Sequence, residues 1–432
     1  MTMTPNTVTQ LNDSYKILYA DRLKYLLPEQ FRYWKDISAK KGRLGQSYNW
    51  PVVLKQEQGF TFKKAGGGEV TFNNTVPGII KAATTDGFQM FGWCGIDYET
   101  AAKGANSRQS FVDSVGHIIE SLDLSAKRRI EMLGWYGQSG LAEIESVSYT
   151  DDTTVTNDYI VISKATWAPA MWVGAEGMRI DIFDTTFATK RNHTNYPFCI
   201  KKVDMVNRRL YLSQYNDVTE VEADDLHDTV ATDKILFQDT RDVTGTAYWN
   251  EQQGIDSILN AANTTLFGIT CADYSLWQSN SYAVGSTVMS VEAIQEIAAQ
   301  AIPKGMEGRV KLYMNPNSVS KMITDIGGLR RFTSQEGNKY TVGANDITVH
   351  CQGVLVDIVS HPFIWEGSAY MFNPEIFGRV QAYPLSSKVP GRGDDLFQLT
   401  GGKGSYSMQL YSNEVLTTDA PCQGVRVTGI VN

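Results

Sequence analysis

The residues of this chain that could carry chemistry are its histidines, its cysteines and a few short glycine-rich or acidic runs. The histidines are His117, His193, His227, His350 and His361, and the cysteines are Cys94, Cys199, Cys271, Cys351 and Cys422. No CxxC, HxxxH or HExxH spacing occurs among them, although zinc sites and disulfide frameworks depend on such spacings. The sequence therefore predicts no metal site and reduced thiols in a cytosolic setting.

Two glycine-rich runs imitate catalytic loops without completing them. Gly137-Gln138-Ser139-Gly140 lacks the second glycine of a nucleophile elbow, because position 141 is leucine. In Gly401-Gly402-Lys403-Gly404-Ser405 the lysine is followed by glycine, so a phosphate loop is not formed. The acidic pairs Asp224-Asp225 and Asp394-Asp395 are typical of solvated loops. We therefore predict no catalytic residue, no cofactor and no enzymatic activity.

The composition indicates a globular chain of two or three domains. Among 432 residues, 42% are hydrophobic and 20% are charged, which excludes a disordered or fibrous protein. The net charge of −8 disfavours tight nucleic-acid binding, because phosphate contacts need clustered cations. It does not exclude a container that surrounds nucleic acid. No signal peptide and no run of ~18 apolar residues is present, so no membrane span is expected.

One long amphipathic helix is predicted from Ser107 to Gly137, with Gly134 and Gly137 as stop signals. Its apolar residues recur three and four positions apart: Phe111, Val115, Ile118, Ile119, Leu122, Ala126, Ile130 and Leu133. At the usual rise such a helix is about 45 Å long. A single helix of this length beside extended segments favours a scaffold for assembly over a frame for a pocket.

The segment before this helix reads as a hairpin with a flexible tip. Phe60, Phe62, Val70 and Phe72 alternate with polar residues on either side of 63–68, which begins Lys63-Lys64 and ends in three glycines. An isolated two-stranded hairpin is marginal in water. Its phenylalanines are therefore expected to contact another chain, and the two lysines either contact an acidic neighbour or only solubilise the turn.

The N-terminal segment carries too many apolar residues for a free tail. Leu27, Phe31 and Trp34 are the large residues around Pro28, which divides the segment into two short helical pieces. These side chains need a surface, which is either the chain's own core or a neighbouring subunit.

Beyond the helix, strand-like runs dominate and helical patterns are few. Three β segments over 178–215 predict a small barrel or β subdomain. Helices are expected over 252–268, over 290–302 and from about 317, and the last part, 339–432, reads as strand-rich.

Three passages resemble the major capsid protein of tailed bacteriophages, whose fold was first seen in phage Hong Kong ninety-seven. IEMLGWYGQSGLAEI (130–144) is similar to a spine helix running into the first peripheral strand. The passages 354–385 and 406–430 are similar to the strands that return from the axial domain and to the C-terminal strands. The order of elements extends the resemblance over nearly the whole chain and implies an α+β capsid fold.

The resemblance implies six regions. These are an N-arm (1–48), an extended loop with flanking strands (49–105), a peripheral domain with the spine helix (106–174), a β insertion domain (175–232), an axial domain (233–335) and returning strands (336–432). No basic coiled-coil propeptide precedes residue 1, which implies a separate scaffolding protein or a processed chain.

The implied function is that of a self-assembling icosahedral head shell that encloses double-stranded DNA without sequence-specific binding. The implied partners are other copies as hexamers and pentamers, a scaffolding protein, a portal and, in some members, a decoration protein. The implied location is the virion, after assembly in the host cytoplasm. The expected intersubunit contacts are Leu27, Phe31, Trp34, Phe60, Phe62, Lys63, Lys64, Val70 and Phe72. The alternatives are an encapsulin-like compartment and, from another class, a carbohydrate-active enzyme with an aromatic-rich β domain.

Overall fold

The computed structural model describes most of the chain. The described residues are 31–42, 47–97, 108–149, 158–191, 197–216, 219–221, 226, 228–329, 347–387, 398–399 and 405–432. Backbone only is described at several edges of these ranges, including 108–118 of the long helix.

The long helix is confirmed and runs from Arg108 to Tyr136, a length of 29 residues. We call it the spine helix. Its last turns are the most deeply embedded, since Ile130, Met132 and Trp135 are all buried. Gly134 lies inside the last turn and does not end the helix, so its role as a stop signal was predicted wrongly.

A five-stranded sheet covers one side of the spine helix. Its strands are Ala39–Lys41, Phe88–Asp97, Phe377–Ser386, Gln398–Leu399 and the long central strand Ser405–Thr418. The central strand pairs with Phe88–Asp97 along one edge and with the other two later strands along the opposite edge. Ala126 of the helix packs against Met408 and Leu410 of the central strand, which fixes the sheet on the helix.

A second sheet closes on itself into a small antiparallel barrel. Its six barrel strands are Ala142–Ser148, Tyr159–Ile162, Arg179–Phe183, Phe198–Asp204, Arg209–Asn216 and Lys234–Phe237, with Thr219–Val221 as an appended strand. The pairing of 198–204 with 209–216 closes the ring. The predicted β segments over 178–215 therefore supply three barrel strands, and the other three come from either side of the predicted insertion domain. The domain boundaries themselves stay predictions.

A third, six-stranded sheet forms a separate core with two helices. Its strands, in spatial order, are Asn280–Thr287, Val425–Ile430, Ser368–Phe372, Arg309–Met314, Val354–Ser360 and Ile347–Cys351. The helices are Val291–Ala301 and Pro316–Leu329. The first begins where predicted, because the Ser290 hydroxyl accepts a hydrogen bond from the Ala293 N–H at 3.1 Å.

The remaining elements are short. They are the helices Arg32–Asp36, Pro169–Trp172 and Ile255–Ile258, the 3₁₀ turns Lys164–Thr166, Cys271–Asp273, Ile302–Lys304, Pro374–Ile376 and Pro421–Gln423, and the strand pairs Ser47–Lys55 with Ile79–Asp86, Arg241–Asp242 with Tyr248–Trp249, and Thr265–Leu266 with Ile269–Thr270. The helix predicted over 252–268 is wrong beyond one turn. Its second half turns back as a strand pair through Phe267 and Gly268, both with positive φ.

Candidate assembly surfaces

The predicted hairpin is present, and its base is fixed to its own chain. The antiparallel ladder joins Ser47–Lys55 to Ile79–Asp86. Trp50 Nε1 donates a hydrogen bond to the Thr418 carbonyl at 3.2 Å, and its ring lies 5.1 Å from that of Phe267. The base therefore forms part of the folded body.

The outer part of the hairpin, residues 56–78, carries no regular ladder. We call it the distal hairpin. A single bridge joins Gln58 to Val76, and the turn is closed by the Gly67 N–H, which donates to the Lys64 carbonyl at 3.2 Å. The strands predicted around 60–62 and 70–72 are therefore not formed, and the true ladder lies closer to the body.

The distal hairpin presents its apolar side chains to solvent. Phe60, Phe62 and Phe72 are 70%, 94% and 80% exposed, and Val70 is exposed as well. Lys63 and Lys64, next to the turn, are also exposed. Single exposed apolar residues are normal, but a run of this kind marks an interaction surface. Their contact with a neighbouring copy stays a prediction.

The described part of the N-terminal segment begins at Phe31 and packs on the chain's own body. The rings of Phe31 and Phe363 are 6.3 Å apart, and the Arg379 guanidinium lies 4.4 Å from the Trp34 ring centre. Both predicted contact residues are thus half-buried against their own chain, and their intersubunit contact stays a prediction for the part left exposed. Leu27 lies outside the described residues.

A buried polar cluster ties this segment to the end of the spine helix. Glu131 accepts hydrogen bonds from the Tyr33 N–H at 2.9 Å and from Trp135 Nε1 at 3.0 Å, and His361 Nε2 lies 3.0 Å from the same oxygen. The Tyr33 ring lies over Gly134, where an added Cβ would approach it to 2.5 Å. Burial raises the pKa of the Tyr33 hydroxyl, which keeps it neutral. The root of the arm is therefore firmly held.

The structure reveals a further exposed aromatic surface that the sequence analysis missed. Phe91 and Trp93, on strand Phe88–Asp97, are each 63% exposed. The alternation in FQMFGWCG (88–95) is visible in the sequence, but it does not show which side chains another element covers. Met90 and Cys94 contact the core between spine helix and sheet, whereas Phe91 and Trp93, which alternate with them along the strand, are exposed.

A cleft of about 1150 Å³ opens beside this strand. Its walls are the strand, the spine helix and the segment 237–251. Glu251 lies at its inner wall, where its carboxylate accepts the Gln138 N–H at 2.7 Å, and burial raises its pKa to about 8. The cleft thus combines aromatic walls with a carboxyl group that is neutral at pH 7.

The described residues offer little for catalysis. The Gly137–Gly140 run is a loop between the spine helix and the barrel, and Ser139 N–H donates to the Tyr136 carbonyl at 2.9 Å. No group of three or more potential metal ligands occurs in the described part of the chain. Within the same part, no helix has both the length and the apolar character that a bilayer crossing requires. His117, His193, His227 and the paired acids lie where side chains are not described.

Comparisons with known proteins give a match at the level of structure. No protein-family model and no curated protein matches the sequence. The structure is similar to a chain of the cyanophage A-1(L) capsid asymmetric unit, with a TM-score of 0.57 and 10% identity over 99% of this chain and 100% of that one. It is also similar to the capsid of an empty GTA particle, with a TM-score of 0.51 and 7% identity over 99% and 100% of the two chains.

Both matches cover 99% of this chain and the whole of the matched chain. At such low sequence identity, these matches show similarity of fold alone. The chain therefore has the α+β fold of phage capsid subunits, as the resemblance implied.

Proposed function

We propose that this chain is the shell-forming subunit of a tailed-phage head. Copies assemble as hexamers and pentamers into a closed icosahedral shell, which encloses double-stranded DNA without reading its sequence. The protein acts as a structural component of the virion and has no enzymatic role. Neither the encapsulin-like compartment nor the carbohydrate-active enzyme is favoured by the comparisons.

The exposed distal hairpin is the observation that carries this proposal. In a soluble monomer, the three phenylalanines of the projecting hairpin stay exposed and contribute no burial free energy. Burial of each side chain contributes about 2 kcal/mol. A shell subunit gains this amount at every contact. Closed shells are built from heterologous contacts, in which one patch of a subunit meets a different patch of the next. The capsid fold supplies the frame for such contacts.

The proposal extends to partners by the same reasoning. We assign assembly to the host cytoplasm. A scaffolding protein and a portal take part in assembly, and a decoration protein binds the outer surface of the shell. The net charge of −8 suits a wall that does not grip its contents, because counterion release requires many cations.

Sedimentation of the purified protein tests the proposal. We expect species of megadalton size, whose DNA contents resist added nuclease when they come from phage-producing cells. A single species of 48.0 kDa at concentrations up to the millimolar range, with or without scaffolding protein, would contradict it.

A further inference from the structure

The five-stranded sheet has an aromatic face on the side turned away from the spine helix. Phe91 and Trp93 point to this side from strand Phe88–Asp97, because they alternate with the residues that contact the helix. The ring of Tyr411 lies 5.0 Å from that of Phe91, and the ring of Tyr383 lies 5.7 Å from that of Tyr411. Phe91, Trp93 and Tyr383 are 63%, 63% and 47% exposed, so the described residues leave this face largely open. We call it the aromatic face.

The side chains beside these rings carry no charge. Gln409 lies opposite Trp93 in the ladder, and Asn413 lies opposite both Gln89 and Tyr383. Residues that lie directly opposite each other in a ladder point to the same side of the sheet, so these amides border the aromatic face. An apolar face with an uncharged border favours an apolar partner over a charged one.

Residues 15–27 of the same chain match this face in character. Their apolar side chains recur four, four and three positions apart, at Tyr15, Tyr19, Leu23 and Leu26. This spacing predicts an amphipathic helix that ends before Pro28. The apolar side of such a helix needs another surface on which to pack.

We propose that residues 15–27 lie across the aromatic face of their own chain before copies assemble. The segment acts as a cover, which keeps an open apolar surface from associating with other proteins. The inference goes beyond the proposed function, because it concerns the unassembled chain alone.

The segment is long enough to reach the aromatic face. Tyr33 packs on Gly134 of the spine helix, and Gly92 of the sheet faces Leu122 of the same helix. These two helix positions are twelve residues apart, which is about 18 Å at the usual rise. The thirteen residues from 31 back to 18 span up to about 45 Å when extended, which allows a path around the edge of the sheet.

The path and the tether both favour the chain's own segment. The outer edge of strand Phe88–Asp97 pairs with no strand in the described part of the chain, so no further strand blocks the way around it. Tethering through a short linker gives an effective concentration on the order of millimolar, which exceeds that of free copies in dilute solution. The phenylalanines of the distal hairpin are exposed in the same molecule, so the hairpin is not the cover.

Cysteine cross-linking in the full-length, unassembled chain tests the contact. The cysteine on the sheet replaces Gln89, which points to the same side as Phe91 and leaves all the rings in place. We expect Leu23→Cys, Gln89→Cys to form a looped monomer on mild oxidation at micromolar concentration. Its yield should be at least tenfold above that of Leu23→Cys alone, which reports links to the native thiols.

The matched control for cross-linking is Leu23→Cys, Val206→Cys. Val206 is 89% exposed on a turn between two barrel strands, away from the aromatic face. Equal yields from the two double variants would overturn the inference. Links that form only between copies would also overturn it, because they would assign the face to a second chain.

Hydroxyl-radical footprinting gives a second measurement that leaves the aromatic face unaltered. In the unassembled chain, we expect Phe91 and Trp93 to oxidise at least fivefold more slowly than in the full-length variant Leu23→Ser, Leu26→Ser. The control Asp21→Ser, Lys24→Ser changes the polar side of the predicted helix and should oxidise like the unaltered chain. Equal oxidation in the unaltered chain and the leucine variant would overturn the inference. Neither measurement needs particles, so failure of the proposed function and failure of this inference are distinguishable.

Discussion

At the scale of single residues, buried polar groups hold the framework in place. Arg128 of the spine helix is buried and donates to the carbonyls of Ala170, Met171, Val173 and Gly174 at 3.1, 2.8, 2.5 and 3.2 Å. These carbonyls end the short helix Pro169–Trp172, where a cation is favourable. Burial lowers the pKa of Arg128 to about 10, which leaves it charged at neutral pH.

Removal of this side chain should therefore be costly. We expect Arg128→Ala to lower the free energy of unfolding of the unassembled chain by about 3 kcal/mol, because the carbonyls lose charged donors in a buried place. Lys127→Ala is the matched control, since its ion pair with Asp123 is exposed and worth about 0.5 kcal/mol. Urea unfolding measures both, and equal losses would contradict the capping role.

The raised pKa of Glu251 predicts that the free energy of unfolding depends on pH. Its pKa is about 8 in the fold, against an ordinary value of 4.5, so the native state holds a proton that the unfolded chain releases between these values. The stability of the unaltered chain therefore falls as pH rises from 5 to 8, and this contribution levels off above 8. Glu251→Gln removes the titration, so its advantage over the unaltered chain should grow by about 1 kcal/mol per pH unit. Urea unfolding at pH 5, 6, 7 and 8 measures this difference, and parallel curves would contradict it.

At the scale of elements, the close approach of the arm root to the spine helix depends on Gly134. Gly134→Ala would push a methyl group into the Tyr33 ring. We expect a loss of about 2 kcal/mol in the free energy of unfolding, because overpacking outweighs the better helix propensity of alanine. In a Tyr33→Ala background the same substitution should instead stabilise the chain slightly. A double-mutant cycle measures this reversal of sign, and simple additivity would contradict the contact.

Substitutions in the distal hairpin are expected to weaken assembly without changing the stability of the unassembled chain. The variant Phe60→Ser, Phe62→Ser, Phe72→Ser should leave the free energy of unfolding of the unassembled chain within 0.5 kcal/mol of the starting value, since exposed side chains contribute little to it. Its assembly should weaken by roughly 6 kcal/mol per contact, which prevents shell formation. Val206→Ser is the control for an exposed apolar residue elsewhere. Unfolding and sedimentation are measured together, and assembly that survives the triple substitution would contradict the role of the hairpin.

Elements governed by local pattern could be predicted from the sequence, and elements governed by distant pairing could not. The spine helix and the helix Val291–Ala301 both followed from the spacing of their apolar residues. The barrel closes through pairs that join 142–148 to 234–237, and no local signal encodes such a pairing. The hairpin ladder ends at the Lys55–Ile79 pair, and the contact of Trp50 with Phe267 at its base joins residues that are far apart in the chain.

The candidate surfaces show the same division. The exposure of Phe60, Phe62 and Phe72 was predictable, because an isolated two-stranded hairpin cannot bury such side chains by itself. Phe91 and Trp93 were missed, because the exposure of a side chain on a strand depends on what packs against that face of the sheet. Trp34 had two possible surfaces in the sequence, and Arg379 on the chain's own body is one that it contacts.

At the scale of the whole molecule, the proposed function requires a chain that folds stably by itself and still exposes apolar surface for neighbouring copies to cover. Two large buried clusters supply the body: one joins the spine helix to the barrel, and the other fills the six-stranded sheet. The distal hairpin is the incomplete part, because its phenylalanines are exposed to solvent. Closure of many such contacts produces a finite shell when the angle between neighbours is fixed.

Electron cryo-microscopy of the purified, assembled protein tests this claim most directly. The account predicts closed icosahedral particles in which each distal hairpin crosses to an adjacent copy and buries its phenylalanines there. A monodisperse 48.0 kDa monomer whose hairpin folds back on its own body, under every condition that keeps the chain folded, would contradict it.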